Sequence, residues 1–428
     1  MTSFLPTLLA AAAVFQPVDS AVPEPVETIA LPPSGERGLD MIVVDTEAMP
    51  AEPELAKGLP QNLEESFSGA PVDLFVPTHH LYTDLRRSLV RYQMKWGALP
   101  AVTVETNGPA LKIGSRDPRI SSLRQRLGLP AGTIFDAALA KKVAEYQADH
   151  GLKSDGIAGP GTLASMNRGA GWYERQIMLN MERARRLPPE GSRERYVLVD
   201  AGSARLWMYE NGRPVDSMKV IVGSPASETP MMAALLRYTA INPFWNIPPD
   251  LVQKSVAKRV LEQGPAYLDQ KRYQVLSDWS DQASVIDPST VDWQAVADGR
   301  TELRVRQLPG ADNFMGIAKF MMPNHYGIYL HDTPNKAFFA NEDRWISNGC
   351  VRVEDAARLA RWIYGAMPEP KSPDSEERVD LDKPVPVYIT YLTVGAGAGG
   401  PQFRADPYNR DAPLLAKFEG ALPAAATR

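Results

Sequence analysis

The dominant period of the apolar residues of this chain changes near residue 190, and that change restricts the architectures open to it. Between Leu81 and Leu187 they return every three or four positions, as in Leu85, Leu89 and Tyr92 or Ile177, Met181 and Ala184. This is the spacing of helices that bury one face. Beyond that point the period is two. Residues 196–199, 206–209, 218–222, 239–242, 304–306, 319–322, 327–331 and 387–392 read as short strands, and Asn211-Gly212 supplies a hairpin turn. Helices followed by regularly spaced strands predict a multidomain α+β protein whose larger part is a β-rich sandwich or barrel. A length of 428 residues suits more than one domain.

Residues 1–20 hold an apolar run from Phe4 to Phe15 and small residues near Ser20, and are expected to be a signal peptide, although no Lys or Arg precedes the run. Residues 21–75, rich in Pro, Glu and Ala, are expected to be an extended linker. Residues 76–110 carry a helical scaffold segment stopped by Trp96-Gly97-Ala98-Leu99-Pro100; the His79-His80 pair at its start reads as solvated surface rather than a metal site. Residues 111–170 predict three short helices, the last opened by Gly159-Pro160 with proline at the first helical position. Residues 171–394 form the strand-rich domain, in which 248–303 break the alternation and read as an inserted capping subdomain. Residues 395–428 begin with a glycine-rich run and are expected to be a mobile tail, with Phe403 to Tyr408 able to dock.

Charge and cysteine content narrow the function. Lys and Arg number 46 against 51 Asp and Glu, so no positive excess is available to meet nucleic-acid phosphates. One cysteine excludes an intramolecular disulfide and a thiolate-rich metal site. No run approaches the ~18–20 apolar residues of a transmembrane helix.

That cysteine, Cys350, lies in Ser347-Asn348-Gly349-Cys350-Val351-Arg352-Val353. A helix with Ala356, Leu359, Ala360 and Ile363 on one face follows, so the thiol is expected to feel a helix N-terminus and to have a lowered pKa. Gly349 leaves room for a substrate carbonyl and offers a backbone N–H to an oxyanion. His331 ends a predicted strand upstream and is the candidate base. Asp332 follows it, but neighbouring strand residues face opposite ways, so a backbone carbonyl is the better orienting group for the imidazole. Ser347 is expected to order the loop, with direct substrate contact as the alternative. Arg352 either binds a substrate carboxylate or braces the loop. Tyr329 and Trp245 are candidates for the cleft lining, with the strand core as the competing place, and Asn348 is grouped with them as substrate-binding. His325 is read as structural or solvated.

Two segments carry a family resemblance. Leu123, Arg124, Leu127, Val143, Tyr146-Gln147, Gly151-Leu152, Asp155-Gly156, Gly159 and Thr162 resemble the peptidoglycan-binding-like domain. Asn180-Met181-Glu182-Arg183, Thr229-Pro230, residues 242–248, Pro309-Gly310 with Asn313 and Gly316, Lys319-Phe320, His331, the Cys350 segment and Phe403-Arg404 with Asp406 and Tyr408 closely resemble the L,D-transpeptidase catalytic domain, in its long periplasmic form. The resemblance implies an acyltransferase that needs no cofactor or metal. Cys350 would attack the third residue of a tetrapeptide stem, release D-alanine and leave a thioester; His331 would move the protons. A diaminopimelate amine would then accept the acyl group, giving a 3→3 cross-link; a free D-amino acid, or the terminal amine or a lysine of a wall-anchored protein, are the alternative acceptors. It also implies peptidoglycan stem peptides as partners, peptidoglycan synthases as further ones, a periplasmic location, and acylation of Cys350 by carbapenems. A thiol hydrolase, or a wall-binding protein without catalysis, are the competing readings.

Overall fold

The computed structural model describes residues 41–49 and 77–421. The signal-peptide expectation and most of the linker lie outside these residues. Helix α1 (His80–Tyr92), continued by a π turn over Gln93–Gly97, precedes the three short helices α2 (Arg119–Arg126), α3 (Ala137–Asp149) and α4 (Pro160–Asn167). Asp136 caps α3 by accepting the Leu139 N–H, and Pro160 opens α4. The longer α5 (Ala170–Arg185) leads into the strands. These helices share one core: Leu85, Tyr92 and Trp96 of the scaffold meet Leu123, Leu139, Val143 and Leu163 of the three-helix unit and Ile177 of α5.

The His79-His80 expectation needs correction. His79 is 1% exposed, accepts the Leu81 N–H as the cap of α1, and shares a 2.9 Å hydrogen bond with the Tyr196 hydroxyl. His80 pairs with the Tyr209 hydroxyl at 2.8 Å. The two rings fasten the helical part to the sheet. The linker expectation also fails for residues 41–49. Strand β1 (Ile42–Val43) pairs in parallel with residues 232–233, Asp45 accepts the Leu235 N–H and pairs with Arg237, and Ala48 is fully buried. Met41 and Ala48 fill an apolar gap beside Tyr388, a local interaction that composition alone does not reveal.

The strands follow as β2 (Arg195–Asp200), β3 (Arg205–Glu210), β4 (Arg213–Gly223), β5 (Met232–Ile241), β6 (Trp245–Ile247), β7 (Tyr273–Leu276), β8 (Arg304–Gln307), β9 (Ala318–Met321), β10 (Leu330–His331), β11 (Trp345–Ser347), β12 (Val351–Val353) and β13 (Glu377–Thr390). The main sheet runs β5-β13-β2-β3-β4-β12-β10-β9, and β9 pairs with β5, which closes it into a ring. Closure removes open edges. Inside lie Val197, Leu206, Val220, Leu236, Phe320, Leu330, Val351 and Ile389, with Leu359 and Ile363 of the helix Ala356–Tyr364 packed against them. Outward residues such as Tyr196, Leu198 and Tyr388 meet β1 and the helical part.

The insertion between β5 and β9 has its own three-stranded sheet, β6-β8-β7, and its own core of Val252, Val256, Val260, Leu268, Val275 and Trp293. The tail is not loose. Strands β14 (Val394–Gly397) and β15 (Gly400–Phe403) form a hairpin whose Val394 and Phe403 enter the helical core, and a last helix spans Asp411–Ala421. Glycine content suggested mobility; the burial of Phe403 between Tyr92, His150 and Tyr173 overrides it. Among the described residues no helix is long and apolar enough to cross a membrane.

Candidate active site

Strand β10 lies between β9 and β12. It runs antiparallel to β9, with His331 opposite Lys319 and Leu330 opposite Phe320. It runs parallel to β12, with His331 opposite Arg352 and Leu330 opposite Val351. Side chains alternate across a sheet, so Phe320, Leu330 and Val351 enter the ring's core while Lys319, His331 and Arg352 form a row on the outer face. One repeat along, Tyr329 and Cys350 share that face. Cys350 is therefore one strand across and two residues along from His331, a Cα separation of roughly 8 Å that the side chains can bridge.

His331 is 3% exposed, and its Nδ1 lies 2.5 Å from the backbone carbonyl of Asp332. A carbonyl only accepts, so Nδ1 carries the hydrogen and Nε2 is left as an acceptor. Burial first, then the charge of Arg352, pushes the imidazole pKa down to about 3, with Lys319 adding to the drop and the Asp332 carbonyl opposing it. The ring is neutral near pH 7. The Asp332 carboxylate faces away, accepting from Ile317 N at 2.9 Å and from Lys336 Nζ at 2.5 Å.

Two expectations around the thiol need correction. Cys350 does not precede a helix: β12 intervenes, and the helix begins at Ala356 with Asp355 as its cap. A macrodipole fades within a turn, so it leaves the sulfur untouched. Burial instead pushes the thiol pKa up, against weaker downward pulls from Tyr329, Lys319 and Arg352, and Sγ lies 3.4 Å from the Gly327 carbonyl as donor. The second correction concerns Gly349. Its N–H donates to Ser347 Oγ at 3.2 Å and so is not free for an oxyanion. Its φ of +111° explains the glycine. No hydrogen bond among the described residues engages the Cys350 N–H. Of the two readings of Ser347, loop ordering fits: the residue is 2% exposed and its hydroxyl also donates to the Cys350 carbonyl at 2.6 Å. It ties the loop and has no surface for substrate.

Thr229, which sequence reasoning did not single out as functional, holds the same loop. Its hydroxyl donates to the Gly349 carbonyl at 2.7 Å and accepts the Gly223 N–H at 2.8 Å. Tyr329 is half-buried, with its ring 5.6 Å from His331 and its hydroxyl 3.7 Å from Met315 Sδ. Arg352 is half-buried and its Nε has no hydrogen-bond partner. Asn348 is exposed on the loop, as is His325 on its own. Trp245 lies tilted against Phe314, ring centroids 4.4 Å apart, and packs against the core of the insertion, so the core reading applies to it. Lys319 was overlooked as a site residue; a cation at an inner position of an apolar strand was its only signal. Among the described residues no group of three His, Cys, Asp or Glu could hold a metal ion.

A thiol, a neutral imidazole and two cations thus share one face of the closed sheet. Residues 194–389 match the family of the L,D-transpeptidase catalytic domain, and residues 123–166 match the family described as "Putative peptidoglycan binding domain". A curated "Putative L,D-transpeptidase" of Haemophilus influenzae (strain ATCC 51907 / DSM 11121 / KW20 / Rd) is 35% identical over 185 residues, which is 43% of this chain and 36% of that one. The chain thus spans about a third of the length of that curated relative. Among solved structures, an L,D-transpeptidase from Mycobacterium smegmatis is 11% identical, covering 46% of this chain and 58% of its own, with a TM-score of 0.23. One from Xylanimonas cellulosilytica DSM 15894 is 15% identical, covering 67% and 100%, with a TM-score of 0.20.

Proposed function

We propose that this protein is a cysteine-dependent peptidoglycan L,D-transpeptidase acting in the periplasm. The observation that carries the reading is the shared outer face of Cys350 and His331, with Nε2 of a neutral imidazole left to accept a proton. Because the resting thiol is protonated, proton transfer from Sγ to Nε2 accompanies attack on the donor carbonyl rather than preceding it. The new S–C bond gives a tetrahedral oxyanion, for which the Cys350 N–H is the donor we assign. Collapse breaks the C–N bond, and His331 returns the proton to the departing D-alanine amine. An acceptor amine, that of diaminopimelate on a second stem, then loses its proton to His331 and displaces the thiolate, forming the 3→3 link. The three-helix unit that matches the peptidoglycan-binding family holds the catalytic domain at the wall.

Intact-protein mass spectrometry after carbapenem exposure tests the nucleophile: one adduct on the wild type and none on Cys350→Ala are expected, and an unmodified Cys350 refutes it. A tetrapeptide-bearing muropeptide separates transfer from hydrolysis, since dimers support transfer and tripeptide alone overturns it.

A further inference from the structure

We propose that Lys319 and Arg352 act as a pair that binds the free carboxylate of the donor's leaving amino acid, so that the site selects donors ending in an unmodified carboxylate. This deepens the transpeptidase reading and rests on it. The register of three strands carries the inference: Lys319 on β9 and Arg352 on β12 flank His331 on either side, on the face shared with Cys350. Neither cation forms an ion pair or a side-chain hydrogen bond with any described residue, although both are half-buried. Arg352 buries its Nε without an acceptor, and Lys319 Nζ has only the face of the Tyr329 ring, 5.2 Å away. A cation drawn partly out of water ordinarily gains an acceptor or a carboxylate in return. The carboxylate of Asp332, the residue after His331, is turned to Lys336 and Ile317.

The unmet partner is therefore an anion supplied from outside, and its position is set by the sulfur. The register puts both cations on either side of His331, on the face that carries the sulfur. In a donor whose last amino acid leaves, the terminal carboxylate lies three bonds from the carbonyl carbon that Cys350 attacks. A planar guanidinium and an ammonium converging there suit a carboxylate. An amide or an extended peptide at that end would leave both cations unpaired.

Two alkylating agents of similar size test the pair without requiring turnover. Iodoacetate carries a carboxylate and iodoacetamide does not; in both reactions the Sγ–C bond forms as iodide leaves. Their rate ratio at Cys350 cancels any change in thiolate fraction. In the full-length protein the iodoacetate/iodoacetamide ratio should exceed that of the urea-unfolded chain by about tenfold. It should fall toward the unfolded value in Lys319→Met and Arg352→Met, and be largely kept in Lys319→Arg. A wild-type ratio equal to the unfolded one, or a ratio unchanged in Lys319→Met with its thermal transition intact, overturns the pair. With tetrapeptide donors, a free-acid terminus should be preferred over a terminal amide, and Lys319→Met should erase the preference mainly through KM. Equal use of both donors by the wild type also overturns it. Absence of turnover with either donor would refute the transpeptidase reading, and the alkylation ratio would still decide the pair.

Discussion

Lowering the pH from 7 to 5 should destabilise this protein chiefly through three histidines. His79 is held down to about 3 by burial and then by the charge of His80; His150, between Tyr92 and Tyr146, is held to about 4 by burial; His331 is held to about 3. In the unfolded chain each returns to about 6.5. Between those values the unfolded chain binds protons that the folded chain refuses, so stability is present above pH 6.5 and is lost as pH falls toward 4. At pH 5.5 an unfolded histidine is about 90% protonated and the folded ones are nearly proton-free, so unfolding should take up about 2.7 protons from these three. That is a loss of about 4 kcal/mol per pH unit. Urea unfolding followed at closely spaced pH values from 5.0 to 7.0 gives the slope directly. His150→Gln should reduce it by about one proton while costing stability at pH 7, because the Tyr92 hydroxyl loses its 3.0 Å partner. An uptake below one proton near pH 5.5, or a slope unchanged in His150→Gln, would refute the reasoning.

Asp332→Ala should keep a substantial part of the turnover, since its carboxylate braces Ile317 and Lys336 and leaves the imidazole to the backbone carbonyl; His331→Ala should abolish it, and equal losses in muropeptide assays would contradict the division. Alkylation of Cys350 by iodoacetamide should keep rising with pH beyond the ~8.5 of a free thiol, and a titration midpoint below 7 would show a preformed thiolate instead. Thr229→Val should leave the Gly349 carbonyl and the Gly223 N–H buried without partners, at about 1–3 kcal/mol for each; an unchanged denaturant midpoint would contradict this.

Much of this arrangement could be read from local pattern. The alternation in 196–199 and 206–209 marks strands because one face of each is buried, and the 3.6 spacing around Leu139 and Val143 marks a helix for the same reason. What escaped reading depends on register. Lys319 belongs beside His331 only because β9 and β10 pair at that offset, and nothing in Ala-Lys-Phe-Met states its partner. Cys350 was referred to the helix that follows because Val351–Val353 is too short to announce a strand on its own; its pairing with β4 and β10 makes it one. The glycine-rich start of the tail and the segment 41–49 were misjudged for a related reason. Composition describes the chain's freedom in isolation, whereas Phe403, Met41 and Ala48 lose it to cores built by residues far away.

The place of β13 governs how this polypeptide can mature. It is the last strand of the ring to be synthesised, yet it sits between β2 and β5, pairing in parallel with the first and antiparallel with the second. Until residues 377–390 have emerged, a nascent chain exposes two bare rows of peptide groups, open to chaperones or to a second copy. The hydroxyl of Tyr408, still later in the chain, then donates to the Gly223 carbonyl 2.7 Å away, at the end of β4 beside the Cys350 loop. Ribosomal stalling or proteolysis near residue 376 would yield an adhesive, aggregation-prone fragment rather than a merely loosened domain.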